Sequence, residues 1–230
     1  MKFFNKIIDS FYYSIIYEDR YQYIIKGLFN TIIISFFAVL IGIILGLIIS
    51  VIRNYHEKTG KLKILSKIAG LYVNVIRGTP SMLQLMIIYY VIFKNVNINI
   101  VLVGIISFGL NSGAYVSEII RGGINSVPLG QLDAGYSLGF NYWQTFRYIV
   151  LPQTLKSVLP ALGNEFITLI KDTSIGAYIG IVELTKASDI IASRTYDYFF
   201  PLIIIAIIYL IMTLGLSKLV NKLERKYKNA

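Results

Sequence analysis

Residues 27–52, GLFNTIIISFFAVLIGIILGLIISVI, carry no charged side chain. Backbone polar groups in a bilayer must bond within their own segment, and about 20 apolar residues in one helix cross its hydrocarbon core. The run is therefore a transmembrane helix, taken from Ile24 to Ile52 and stopped at Arg53. The rest of the chain follows it, with 56% hydrophobic and only 15% charged residues, where a soluble domain carries about 25% charged. The expected fold class is an all-α integral membrane protein with about five transmembrane helices.

Residues 62–93 are too many for one straight span and too few for two with a turn between them. Arg77-Gly78-Thr79-Pro80 offers a helix break: proline removes a backbone donor and glycine weakens a helix. One span is thus expected to end near Phe93, its first part bent or interfacial. Further spans are expected at about 98–120, rich in small residues (Gly104, Gly109, Ser112, Gly113, Ala114), at about 154–180 around Pro160, and at about 197–219. Gly42 and Gly46, four residues apart, let a neighbouring helix approach the first span closely. Residues 1–23 place Phe3, Phe4, Ile7, Ile8, Phe11, Tyr12, Ile15 and Ile16 at helical spacing, interrupted by Lys6 and Asp9. They are expected to form an amphipathic helix on a membrane surface. Residues 24–222 make the transmembrane domain, with a polar loop at 121–152 and a polar outer segment at 183–194. Residues 223–230 make a basic tail.

The net charge of +10 fits basic residues flanking spans on the cytoplasmic side better than a nucleic-acid surface. Five spans put the termini on opposite sides. Arg53, Lys58, Lys61, Lys63 and Lys67 in one loop, with Lys218, Lys222, Arg225, Lys226 and Lys228 in the tail, outweigh the basic residues of the other side. The N-terminus is therefore expected outside and the C-terminus in the cytoplasm. With no cysteine there is no disulfide framework or thiolate metal site, and His56 has no second histidine to share a metal.

Glu118, Glu165, Lys171 and Asp172 lie in or near spans. A charge at the bilayer centre costs about 2.5 kcal/mol or more, so such groups face a cavity or a partner. Glu165, Thr168 and Asp172 share one helical face, with Asn164 beside them. They are candidates to line a path for a polar solute. The alternative is that Lys171 and Asp172 neutralise neighbours or close a helix end.

Residues 132–152, LDAGYSLGFNYWQTFRYIVLP, break the apolar pattern. Pro128 precedes a short helix over Gln131–Leu138, Gly139 ends it, and a second helix over Tyr142–Ile149 is expected to stop at Pro152. Two short helices around a glycine make a knob for a partner's groove. Asp133-Ala134-Gly135, Gly139, nine residues and Ile149-Val150-Leu151-Pro152 resemble the EAA signature of permease subunits of binding-protein-dependent ABC importers. Here Asp stands for the usual Glu and Gly135 for the second Ala. Arg77-Gly78-Thr79-Pro80 with Gln84, Tyr115 to Arg121, Leu162 to Ile175, and Glu183-Leu184-Thr185 resemble the polar-amino-acid branch of that family.

The resemblance covers about residues 24–219 and implies a type I ABC importer permease fold in a bacterial inner (plasma) membrane. It implies a dimer with a second copy or a paralogue, ATPase subunits inside, and an extracytoplasmic solute-binding protein delivering a polar amino acid. Asp133, Ala134, Gly135 and Gly139 would then couple the permease to the ATPases. No cofactor is expected on the chain itself: ATP would bind the partners, because no GxxxxGK[ST] loop occurs and Gly60-Lys61 is followed by Leu62. An ion-coupled secondary transporter is the alternative, though no internal repeat supports it. A membrane-embedded enzyme would need a clustered nucleophile or metal set, which the sequence lacks.

Overall fold

The structure is a computed structural model describing residues 2–228, without the side chains of 2–4, 129, 227 and 228. Every regular element among these residues is helical. The elements are α1 (Lys2–Phe11), α2 (Tyr21–Thr59), α3 (Lys63–Gly78), α4 (Ser81–Ile87), α5 (Ile100–Asn125), α6 (Leu129–Ser137), α7 (Tyr142–Thr145), α8 (Leu151–Asp172), α9 (Leu184–Thr195) and α10 (Phe199–Lys228).

Three of these, α2, α5 and α10, are long and apolar enough to cross a membrane alone. The pair α3 and α4 with its continuation to Ile92, bent at a short break, passes the same test only when the two are taken together as one span. The bend falls at the expected break. Thr79 is extended (φ −123°, ψ 149°), as a residue before proline prefers, and its hydroxyl donates to the Val75 carbonyl at 2.8 Å. The span expected at about 154–180 is α8, which ends at Asp172 and, with Lys156, Asn164, Glu165, Lys171 and Asp172 along it, is too polar to count among the helices apolar enough to cross.

The chain divides into two compact units. The first contains the chain up to Ala38, Ser81–Phe108 and Thr168–Gly215. Its core gathers Ile15, Ile24, Leu184, Ile191 and Ile205. Here the N-terminal segment docks as well as covers: Ser10 and Ser14 hydroxyls donate to Asp197 Oδ2, and Phe11 meets Phe200 edge-on. Ile7, Ile8, Tyr12 and Ile16 stay exposed, while Phe3 and Phe4 lie outside the residues whose side chains are described. The segment 183–194, expected to be polar and outer, is mostly α9, and it buries Leu184, Ala187, Ser188, Ile191 and Ala192. Its apolar residues recur every three to four positions, which puts them on one side of the helix.

Val39–Pro80, Gly109–Ile167 and the chain from Leu216 onward make up the second unit. Within it α2 and α5 approach at the expected small residues. A Cβ added at Gly42 would lie 2.6 Å from Ser112 Oγ, and one at Gly46 would lie 2.5 Å from Val116 Cγ1. The tight seam lets buried Ile49, Ala69, Val73 and Ala114 form one cluster and Val116, Ile120 and Val158 another. Two boundaries differ from expectation. α2 continues past Arg53 to Thr59, and the tail is a helical extension of α10 as far as Lys228.

Candidate functional site

The 129–150 segment is a helical hairpin whose turn is fixed by two local devices. At the end of α6, Gly139 N–H donates to Tyr136 O (2.9 Å) and Phe140 N–H to Gly135 O (3.1 Å). This is a Schellman motif, which requires a left-handed residue after the cap, and Gly139 has φ +81°. α7 then opens with a capping box: Asn141 Oδ1 accepts from Gln144 N–H (3.0 Å), and Gln144 Oε1 accepts from Asn141 N–H (2.9 Å). Asn141 and Gln144 thus hold the hairpin's own backbone. Their Asn-x-x-Gln spacing is a signal present in the sequence.

Pro152 does not stop the second helix. α7 passes through a wider, π-type turn at Phe146–Val150 and continues directly into α8. Proline lacks the N–H that the preceding turn would use and its ring crowds that turn, and the widened turn just before it relieves the crowding.

Asp133 and Ala134 are exposed on α6, whereas Gly135 is buried. A Cβ on Gly135 would stand 2.5 Å from Thr145 Cγ2 and 2.8 Å from Thr145 Oγ1. Gly135 and the branched Thr145 therefore belong together. Gly135→Ala is expected to cost about 1–3 kcal/mol by overpacking, even though Ala is the usual residue of the signature. Adding Thr145→Ala should recover most of that loss. Thermal unfolding of the purified single and double variants measures it, and equal losses in both would refute the steric account.

The outer surface of the hairpin mixes polar and apolar groups. Leu138, Trp143 and Tyr148 are 72%, 62% and 64% exposed, beside exposed Gln131, Asp133, Gln144 and Arg147. A lipid-facing surface would not carry those polar neighbours; large aromatic and aliphatic groups set among polar ones suit a protein interface. On the inner side, Tyr142 donates to Asn54 Oδ1 at 3.3 Å. Burial, with nearby Tyr136, pushes the Tyr142 phenol above its ordinary pKa, so it remains a donor. A cavity of about 310 Å³ lies beneath, lined by Asn54, Lys58, Leu132, Tyr142, Phe146 and Val150 among others.

Helix α8 runs unbroken through Pro160. In the second unit Asn164 is exposed and Glu165 half-buried, with the Ser112 hydroxyl donating to Glu165 Oε1 at 2.8 Å. In the first unit Thr168 is exposed, and half-buried Asp172 is the last residue of the helix. Asp172 thus stands where the helix-end alternative puts it.

The sequence pattern assigns no role to Glu118. Its carboxylate, 16% exposed, meets Arg53 at 2.5 Å, Arg121 at 2.6 Å and Arg77 at 3.7 Å. Only the Arg121 pair, three residues away on the same helix, had a sequence signal. Arg53 and Arg77 arrive from α2 and α3 through tertiary packing.

Among the described residues no cluster of His, Cys, Asp and Glu could hold a metal ion.

The profile of the family described as binding-protein-dependent transport system inner membrane component matches residues 42–229. A putative glutamine transport system permease protein, GlnP, of Rickettsia prowazekii (strain Madrid E) is 37% identical, over 93% of this chain and 97% of its own length. A probable amino-acid ABC transporter permease protein, YckA, of Bacillus subtilis (strain 168) is 39% identical over 91% of each chain. Among solved structures, an amino acid ABC transporter crystallised with histidines superposes with a TM-score of 0.81 at 43% identity. The match covers 89% of this chain and 94% of that one.

Proposed function

The chain belongs to the family of binding-protein-dependent transport system inner membrane components, and on that premise we propose that it forms the membrane passage of an ATP-driven importer of polar amino acids. It has the type I ABC importer permease fold and is a permease subunit, with ATP hydrolysis in separate subunits. Relatives named for glutamine and for amino acids support the substrate class. The passage would form in a dimer, with a second copy or a paralogue, and an extracytoplasmic solute-binding protein would deliver the substrate. The proposed orientation places the N-terminus outside and the C-terminus in the cytoplasm.

One observation carries the mechanism: the 129–150 hairpin is locked by its own caps and presents Leu138, Trp143 and Tyr148 outward. A rigid knob with large exposed anchors fits a groove on an ATPase subunit. Closure of the ATPase pair on ATP would displace the hairpin, and Tyr142 and α8 would pass that displacement into the membrane. Alternating access follows when the spans tilt about the passage. ATP is bound by the ATPases, and the permease needs no cofactor of its own.

On α8, Glu165 and Asp172 supply acceptors for an ammonium group, and Asn164 and Thr168 expose polar groups that lipid would not receive. Glu165→Gln removes one charge-assisted acceptor and is expected to raise KM by about tenfold. It should also shift preference among neutral and cationic amino acids. Competition uptake in proteoliposomes measures both, and an unchanged KM and preference would take Glu165 out of the substrate path.

Energisation tests the function itself. Uptake should vanish on ATP depletion and persist with an uncoupler at constant ATP. The reverse pattern would make the chain an ion-coupled transporter.

A further inference from the structure

Glu118 sits where the supports of the hairpin meet the helix that leads to the break. Its Oε1 takes Arg53 Nη1 at 2.5 Å, and its two oxygens take Arg121 Nε and Nη2 at 2.6–3.2 Å. Arg53 is the neighbour of Asn54, which receives the hairpin's Tyr142 hydroxyl. Arg121 lies in the last part of α5, the helix that leads into the hairpin. Both short contacts therefore come from residues at the root of the 129–150 segment.

The third contact differs. Arg77 Nη1 stands 3.7 Å from Glu118 Oε2, beyond hydrogen-bond distance. Its guanidinium lies instead over the Tyr115 ring, 5.4 Å from the centroid. Arg77 thus has two resting places within reach, a ring and a carboxylate, and a shift of about 1 Å would turn the longer contact into a charge-assisted hydrogen bond. Gly78, Thr79 and Pro80 follow it directly, at the break that ends α3.

We propose that Glu118 is a positioning residue of the transport cycle: it joins the root of the 129–150 hairpin to Arg77, and so ties hairpin displacement to the geometry of the break at Gly78–Pro80. The proposal rests on the reading of the hairpin as the ATPase-docking element. Displacing the hairpin shifts Arg53 and Arg121 and with them the carboxylate, which moves towards Arg77 or away from it. A one-carboxylate joint suits this role. With three guanidiniums around it, any loss of its charge leaves like charges facing each other in a poorly screened setting. A purely structural ion pair would need neither the third arginine nor its alternative seat on Tyr115.

The test uses the assembled transporter in proteoliposomes and reads substrate taken up per ATP hydrolysed. Arg77→Gln leaves the two short ion pairs intact, so the complex should assemble and hydrolyse ATP. Uptake per ATP should fall about tenfold, with the binding protein's affinity for substrate unchanged. Arg77→Lys should recover part of the ratio. Glu118→Gln should lower it at least as far, and adding Arg77→Gln to Glu118→Gln should lower it no further, since both act on one joint. A wild-type ratio in Arg77→Gln would overturn the proposal. So would failure of Arg77→Gln to assemble, which would mark the cluster as structural. If the wild-type complex itself shows no ATP-dependent uptake, the functional reading has failed instead.

Discussion

Gly139→Val is expected to reduce ATP-driven uptake by at least about tenfold while leaving the helical content of the protein unchanged. Gly139 sits at φ +81°, and a β-branched residue there is a genuine backbone outlier. The left-handed conformation costs an L-residue about 1–2 kcal/mol. That strain falls on the Schellman bonds from Gly139 and Phe140 to Tyr136 and Gly135. A Cβ at this position would meet nothing within 4 Å, so the strain falls first on the backbone conformation. Gly139→Asn tolerates the left-handed region and should retain most uptake. The loop is a rigid lever only if its turn is fixed; Val and Asn transporting equally would show that it is not.

Glu183→Ala should give the largest loss of stability of any single change considered. The residue is fully buried. Its Oε2 accepts from Thr185 N–H at 2.7 Å and the Tyr209 hydroxyl at 3.1 Å, and its Oε1 accepts from Lys186 N–H at 2.6 Å. Alanine would orphan all three donors, at about 1–3 kcal/mol each where no water enters, and would uncap α9. A net loss of about 3 kcal/mol or more is expected, seen as a lower unfolding temperature in detergent. Glu183→Gln keeps an acceptor oxygen and should lose less than half as much. If alanine proves no worse than glutamine, the buried carboxylate is not the cap of α9.

The spans α2, α5 and α10 were legible because long apolar runs such as 27–52 must bond their backbone within one helix. The break at Gly78-Thr79-Pro80 was legible because proline chemistry is local, and so was the turn at Gly139. The ends of α2 and α10 were not. α2 continues to Thr59 past an arginine that pairs with Glu118, a partner far away in sequence. Pro152 misled for a related reason: a proline stops a regular helix, but a π-type turn before it lets the helix pass. At the hairpin, spacing located Asp133, Ala134, Gly135 and Gly139. It did not show that Gly135 makes room for Thr145, which is a matter of packing between two helices. Periodicity puts Glu165, Thr168 and Asp172 on one side of α8. The Glu118 cluster needed three helices in place before it existed.

The chain contains no cysteine, so a single introduced thiol is unique within it and, labelled before assembly, can report which surface meets the ATPase. Leu138→Cys, on the exposed tip of the hairpin, and Tyr196→Cys, 95% exposed at the end of α9, would sit on opposite sides of the membrane in the proposed orientation. Carrying a photoactivatable cross-linker in the assembled transporter, Leu138→Cys should capture the ATPase subunit and Tyr196→Cys should not. Capture of the ATPase from Tyr196→Cys, with none from Leu138→Cys, would contradict both the docking role of the hairpin and the orientation of the chain.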